Sequence, residues 1–398
     1  MNINGTFRFH NIGQGLFYSG LLNLRDSKKH NVFSFVYDCG TDSNKLFLRR
    51  EIESFKPLLP SAGTHNEKRL DMLVISHLHD DHVNGLKYLL DNVKVDTVVM
   101  PYIDDGLKSL ALIESSRNSD FLRTFYLDPV NWLASRGVRR ILLLGAEGTD
   151  TKGEELSSGQ PINNDDSDIY VDPESVIRTG SVGSASTIYL KSRSTVSCRN
   201  YCWEFQFENL KLDPAVIASY QSIIEDYKRK YKSLENILID KRLTKNLRDD
   251  IKETQLKYTL NRTSVVMLHR PIASDAYVQF GFCNGCFHRY FMPHIHIEDI
   301  LCGSILTGDV DLKEGESFDI LDDSSVRHGY SVVQFPHHGA KNDYNIEYFH
   351  TLPAITTVVS YGITNRYGHP HGQVLRLLER VSPVNERQAF DYQISMFD

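Results

Sequence analysis

At 398 residues the chain is long enough for one large domain with insertions or two modest ones, and it can bury a core without covalent staples. Its 41% hydrophobic and 24% charged content is ordinary for a soluble globular protein. A net charge of −7 and a pI near 6.1 argue against a broad basic face that coats nucleic acid, though not against a local basic groove. Six cysteines are too sparse for a disulfide scaffold, so a reducing cytoplasm is the expected location. The opening "MNINGTFRFHNIGQG" lacks a basic head and an apolar segment, so no signal peptide is expected. No run of about 18 apolar residues occurs, so no membrane span is expected either.

In chain order, "TFRFHNIG", "LFYSGLLNL" and "VFSFVYDCG" read as strands punctuated by Gly, and "NKLFLRREIESF" has helical periodicity. "RLDMLVIS" is a short apolar run, the pattern of a strand buried on both faces. "VNGLKYLLDNV" predicts a helix and "VDTVVMPY" a strand. "FLRTFYLDPVNWLASRG" predicts a helix broken at Pro129, and "VRRILLLGA" a second buried strand. This alternation predicts an α/β protein with a helix-covered sheet. From about 148 to 186 the chain turns polar and reads as loop, ending in "RTGSVGSAS". "YCWEFQFENL" is a strand. Asp213 and Pro214 then suit the N-cap and first position of a helix. The charged stretch that follows carries an apolar stripe of Ile217, Ile224, Tyr231, Leu234 and Leu238, an inserted helical hairpin. Strand patterns return in "TSVVMLHR", "YVQFGFC", "GSILTGDV", "YSVVQFPHHG" and "AITTVVSYG". The expected organisation is a single domain over 1–398, with 148–258 as a polar loop and helical insertion within it.

The densest chemistry is "SHLHDDH", Ser76–His82, directly after the apolar strand pattern. Residues two apart leave a strand on the same side, so His77, His79 and Asp81 face one point and His82 turns to a neighbouring one. Imidazoles with a carboxylate suit zinc and similar divalent ions, and two adjacent sites sharing one loop are the economical reading. The alternative is a solvated histidine-rich turn, which so many ligands in seven residues disfavour.

His-x-His-x-Asp-His after an apolar strand resembles the signature of the metallo-β-lactamase fold, a four-layer αββα sandwich. Asp38 in "VYDCG", "LTGD" at Leu306–Asp309 and "FPHHGAK" with His337 and His338 follow in the matching order. A nearer resemblance is to the hydrolase domain of the bacterial competence DNA-uptake protein and its stand-alone relatives. The segments that carry it are "IGQGL" (Ile12–Leu16), "NRTSVV" (Asn261–Val266), "LTGD", "PHHGA" (Pro336–Ala340) and "YGHPH" (Tyr367–His371). They cover less than half of the chain and leave 148–258 unexplained. Leu16, Asn11 and Ala340 depart from that branch, which has aspartates at the first two places and serine at the third.

The resemblance implies a dinuclear site. His77 and His79 serve ion one, Asp81 and His82 ion two, Asp309 bridges, and His338 completes ion two. Asp38 braces the metal loop, with His337 in support. Where a third histidine for ion one normally stands, this chain has Asn261, and His369 is the best substitute donor. Zinc is the first expectation and manganese the second. Asp81 orients a metal-activated hydroxide, and His369 or His371 protonates the leaving oxygen. Asn365, Tyr367 and Lys341 hold phosphate oxygens, with turn chemistry the alternative for Asn365 and Tyr367 and a solvated surface position the alternative for Lys341.

Remaining features have bland readings. Cys198 with Cys202, and Cys283 with Cys286, can form zinc knuckles but read more simply as free thiols, while Cys39 and Cys302 read as small buried residues. His294 and His296 suit a solvent-facing strand, and His10 either the cleft rim or a structural place. "YKRKYK" (Tyr227–Lys232) with "DKRLTKNLR" (Asp240–Arg248) could track a phosphate backbone, but interrupting acids favour a solvated helical or protein-partner face of the 213–258 segment. Three functions follow. The first is a metal-dependent phosphodiesterase or nuclease acting on nucleic acid or nucleotides. The second is a hydrolase of a lactam, lactone or thioester. The third is a partner-binding protein with a vestigial metal site.

Overall fold

The computed structural model describes residues 2–24, 31–62, 67–114, 119–147, 168–210, 214–233, 236–237, 240–253, 260–272, 277–283, 303–322, 329–378 and 381–397. Two sheets face each other. The first has ten strands, in spatial order Tyr277–Cys283, Phe390–Phe397, Ile3–Phe9, Gly15–Leu24, Asn31–Thr41, Lys68–Val74, Val93–Pro101, Arg140–Leu144, Ala185–Leu190 and Val176–Val182. The second has eight: Val381–Val384, Ala354–Ser360, Tyr330–Gln334, Ser304–Leu306, Val266–Pro271, Trp203–Glu208, Arg193–Cys198 and Tyr170–Val171. Each contains a parallel block, Asn31–Thr41 through Ala185–Leu190 in one and Ser304–Leu306 through Val381–Val384 in the other. Parallel strands need helical crossovers, and those cover the outer faces.

Three apolar layers separate the four structural ones. The middle layer joins the sheets through Phe7, Phe35, Trp203, Phe205 and Met267, all fully buried. One outer layer packs helices, including Lys45–Phe55 and Pro129–Ser135, on the first sheet through Ile52, Leu89, Phe125 and Leu133. The other packs Asp343–Thr351 and Gly372–Leu377 on the second sheet through Val333, Ile346, Phe349 and Val374. This is the αββα sandwich. The strand expected at "RLDMLVIS" is Lys68–Val74, buried from Leu70 onward. The helix break expected at Pro129 is present, with Asp128 ending one helix and capping the next by accepting from the Asn131 N–H.

The reading of 148–258 needs correction. Residues 170–208 supply five strands distributed over both sheets, so this part of the chain completes the sandwich. "RTGSVGSAS" lies in an antiparallel hairpin, Val176–Val182 with Ala185–Leu190, turning at Gly183. Its outer strand has no buried residue, so it lacks the apolar alternation that marks a strand in sequence. Helices do follow at Pro214–Tyr231 and Lys241–Glu253. They lie against the helix Asp105–Glu114 and bury Ile224, Leu247 and Ile251 in the outer layer. Leu234, Leu238 and Asp213 of the expected stripe and cap lie outside the described residues, as do residues 148–167, Cys286, His294, His296 and Cys302. Cys39 and Cys198 are buried free thiols and Cys202 is a half-buried one. On the first helix, Lys228 pairs with Glu225 and Arg229 with Asp226, so its basic run is locally neutralised. Among the described residues no helix is long and apolar enough to cross a membrane.

Candidate metal centre

The site stands at the carboxyl ends of the parallel strands, where crossover loops converge. Lys68–Val74 delivers Ser76–His82, Ser304–Leu306 delivers Asp309, and Tyr330–Gln334 delivers His337 and His338. Ala354–Ser360 leads into the turn that carries Asn365–His369. Close backbone approach requires glycine twice. A Cβ on Gly40 would lie 2.5 Å from the Asp81 carbonyl carbon, and one on Gly308 (φ +56°) 2.8 Å from the Ser76 Cβ.

Asp38 organises the metal loop from beneath. It is fully buried in a left-handed conformation (φ 58°). It accepts hydrogen bonds from the Ser76 N–H at 2.7 Å, the Ser76 hydroxyl at 2.6 Å and His82 Nδ1 at 2.7 Å. That last bond fixes the tautomer and aims His82 Nε2 at Asp309 Oδ1, 3.2 Å away. His338 repeats the arrangement. Its Nδ1 donates to the Ser360 carbonyl at 2.9 Å, and its Nε2 stands 3.2 Å from Asp81 Oδ2 and 3.5 Å from Asp309 Oδ2. His77, held through Nδ1 by the Ser76 hydroxyl, turns Nε2 to within 3.1 Å of His79 Nδ1.

Two donor groups result, Asp81, His82, Asp309 and His338 in one and His77, His79 and Asp309 in the other, with donor atoms within 4.8 Å of each other in each group. The residues fit a cation. His82 Nε2 and Asp309 Oδ1 are buried and neither has a hydrogen-bond partner, although they lie 3.2 Å apart. An unpaired buried donor or acceptor costs about 1–3 kcal/mol, and a divalent ion between them removes that cost. The nitrogen and carboxylate set suits zinc or manganese. Electrostatics point the same way. Burial acts to raise Asp309, but His338 and His82 hold its carboxyl well below the usual range. Burial acts to lower His82, but Asp309, Asp38 and Asp81 push it well above the usual imidazole value.

Above the groups lies a cleft of about 270 Å³. Gln14, Asp42, Asp80, His337, Tyr367 and His369 complete its lining. Gln14, Asp42 and Asp80 are the residues that sequence reasoning did not single out. Asp80 accepts from the Tyr126 hydroxyl at 2.8 Å, and Gln14 Oε1 accepts from the Gly362 N–H at 3.1 Å. The "IGQGL" resemblance was the only signal for Gln14.

The other expected site residues occupy distinct places in and around the cleft. His369 lines the cleft but stands outside both donor groups, with its ring centroid 5.5 Å from that of His337 and 6.4 Å from that of His338. The Asn365 side chain pins it there, donating to the His369 carbonyl at 2.6 Å and accepting from its N–H at 3.0 Å. Burial, then His337 and His338, pull the His369 pKa down to about 4, which favours the neutral imidazole with a single ring N–H. Asn365 also bonds Gly362 and Tyr367, which commits its amide to the turn and leaves none for phosphate. His371 caps the helix Gly372–Leu377 by accepting from the Gln373 N–H at 3.3 Å. Lys341 is half exposed, pairs with Asp343 at 3.9 Å and does not line the cleft. Tyr367 commits its hydroxyl to Asp42. Asn261 lies behind His337, Nδ2 within 3.4 Å of a ring nitrogen, and does not line the cleft. His10 is buried between Glu51 (2.9 Å) and Ser19 (2.8 Å), a structural place rather than the rim.

Comparison with known proteins agrees with this architecture. ComE operon protein 3 of Bacillus subtilis (strain 168) is 40% identical over 78 residues, which make up 20% of this chain and 10% of that protein. Residues 29–157, which include Asp38 and the whole His77–His82 loop, match the family model of the metallo-beta-lactamase superfamily. The two-sheet sandwich and the converging donor groups agree with this match, which assigns residues 29–157 to a metallo-beta-lactamase superfamily domain.

Proposed function

We propose that the protein is a hydrolase working with two divalent ions, zinc first and manganese second, and that its substrate is a phosphodiester of nucleic acid or a nucleotide. The observation that carries the dinuclear reading is Asp309, one buried carboxylate within reach of both donor groups. The resemblance of "IGQGL", "NRTSVV", "PHHGA" and "YGHPH" to the competence DNA-uptake branch favours a phosphodiester over a lactam or thioester. A bound pair of such ions lowers the pKa of water toward about 7 and neutralises charge that builds on phosphoryl oxygens.

The chain's own groups then position and exclude. Asp38 and the Ser360 carbonyl lock the His82 and His338 rings. Asp81, whose Oδ2 lies 3.2 Å from His338 Nε2, orients the attacking water. His369, neutral and held on the cleft wall, hydrogen-bonds the leaving oxygen. The test is hydrolysis of single-stranded DNA, duplex DNA, RNA and bis-nitrophenyl phosphate with zinc or manganese. Phosphodiester turnover that drops at least ~10²–10³-fold in Asp81→Ala and His82→Ala is the expected result. Turnover of esters or lactams alone would sink the substrate assignment. No turnover at full metal occupancy would favour a binding protein.

A further inference from the structure

One wall of the cleft has no task in this chemistry. Tyr367 lines it, in a cleft whose other lining includes His79, Asp81 and Asp309, and is 47% exposed. The residue is held at both ends. Its N–H donates to Asn365 Oδ1 at 3.0 Å and its hydroxyl donates to Asp42 Oδ2 at 3.0 Å. The hydroxyl also accepts from Arg366 Nη2 at 3.4 Å, so it is committed on both sides. What Tyr367 offers is its ring surface. His369 stacks on the ring with centroids 5.7 Å apart and planes at 27°. The fully exposed Arg366 places its guanidinium 5.4 Å from the ring centroid. No lysine or arginine occurs among the described cleft-lining residues, and Arg366 adjoins the cleft through its contact with Tyr367.

We propose that Tyr367, with Arg366 beside it, is a stacking platform for one nucleobase of a single-stranded nucleic acid whose phosphodiester lies at the metal centre. The proposal rests on the phosphodiesterase reading and names its substrate class. Every base presents a π face, so such a platform is sequence-tolerant, and guanidinium groups both stack and pair with phosphate. The cleft's 270 Å³ is just below the ~300–1,000 Å³ typical of pockets that enclose a whole small ligand. It therefore suits one unit of a longer chain, with the rest on open surface. In a duplex the base faces are already stacked, so the platform selects single strands.

The experiment compares kcat/KM on a single-stranded deoxyoligonucleotide and on the same strand with an abasic residue beside the cleaved bond. Tyr367→Ala is expected to lose roughly 5–150-fold on the intact strand, the equivalent of ~1–3 kcal/mol of stacking. Tyr367→Phe, which keeps the ring, is expected to stay within about 2-fold, since the stacking surface is retained. The wild type is expected to lose the same factor on the abasic strand, with no further loss when the two changes are combined. Bound metal, measured separately, is expected to be equal in all three proteins. Equal intact-to-abasic ratios in wild type and Tyr367→Ala would overturn the platform and leave the phosphodiesterase reading standing. A Tyr367→Phe as impaired as Tyr367→Ala would overturn it too, because the Asp42 contact would then be what matters. A wild type that cleaves no nucleic acid but opens a lactam or ester would remove both readings.

Discussion

Asp38 shows how much a single buried carboxylate can determine. It touches no part of the cleft, yet it receives three hydrogen bonds, two from Ser76 and one from His82, and so sets both the path of the metal loop and the tautomer of one ligand. Replacing it by asparagine keeps the size but presents an amide N–H₂ to at least one of those donors. Asp38→Asn is therefore expected to fold and to bind metal ~10–100-fold more weakly, as loss of a partner behind a ligand usually does. Titration with zinc against a competing chelator measures this, and unchanged affinity would show that His82 is oriented by something else. At this scale the sequence was most legible where ligands are local. Four of the six donors sit within seven residues, and their spacing is a strand-end pattern. For His369, Asn365 and Lys341 the motifs were legible but the surrounding bonds were not. A motif places a residue near a site, but its neighbours decide which of its atoms remain available. Asn365 spends its amide on the turn, and Lys341 meets Asp343 outside the cleft.

Between the sheets, pairing of elements depends on a buried polar chain. Trp203 Nε1 can only donate, so His269 Nδ1 accepts from it at 3.3 Å. His269 Nε2 must then carry the hydrogen and donate to the Tyr18 hydroxyl at 2.8 Å. Tyr18 passes the chain to the Tyr392 hydroxyl at 2.6 Å, which donates to Ser304 Oγ at 2.7 Å. The chain links strands of both sheets and leaves no place for a second proton on the imidazole. Burial holds the His269 pKa at about 3, and His10 is likewise lowered to about 4. A folded pKa below the unfolded value of about 6.5 means the unfolded chain binds the proton first. The stability is complete above pH 6.5 and is lost as pH falls toward the folded values, by up to ~1.4 kcal/mol per pH unit for each histidine. In urea unfolding of chelator-treated protein between pH 7 and 4.5, His269→Gln should remove about one proton's share of that slope. An unaltered slope would mean that His269 is not held neutral. None of this was legible beforehand, because the partners come from five separate strands. The apolar strands themselves were legible, since burial on both faces writes itself as a continuous hydrophobic run. The edge strand Val176–Val182 was not, since its pairing to Ala185–Leu190 is a backbone matter that polar side chains do not announce.

For the molecule as a whole, the donor groups bridge the two halves of the sandwich. His77, His79, Asp81 and His82 follow a strand of the first sheet, whereas Asp309 and His338 follow strands of the second. An ion in either group therefore ties one sheet to the other at the open end of the middle apolar layer, and global unfolding must release it. Ligand that binds only the folded state adds about 2.7 kcal/mol per site at a hundredfold excess over its Kd. Chelator-treated protein should accordingly gain stability in two steps as zinc or manganese is added, with denaturant unfolding as the measure. The single variants separate the sites. Asp81→Asn touches one donor group and should abolish one step, while Asp309→Asn touches both and should weaken both. Each variant also removes a carboxylate that His82 and His338 hold ionised, so the metal-free proteins are expected to start less stable than the wild type. The informative quantity is the increment on adding metal. Equal increments in Asp309→Asn and wild type would show that the sheets are not joined through this carboxylate, and the dinuclear reading would fall with it.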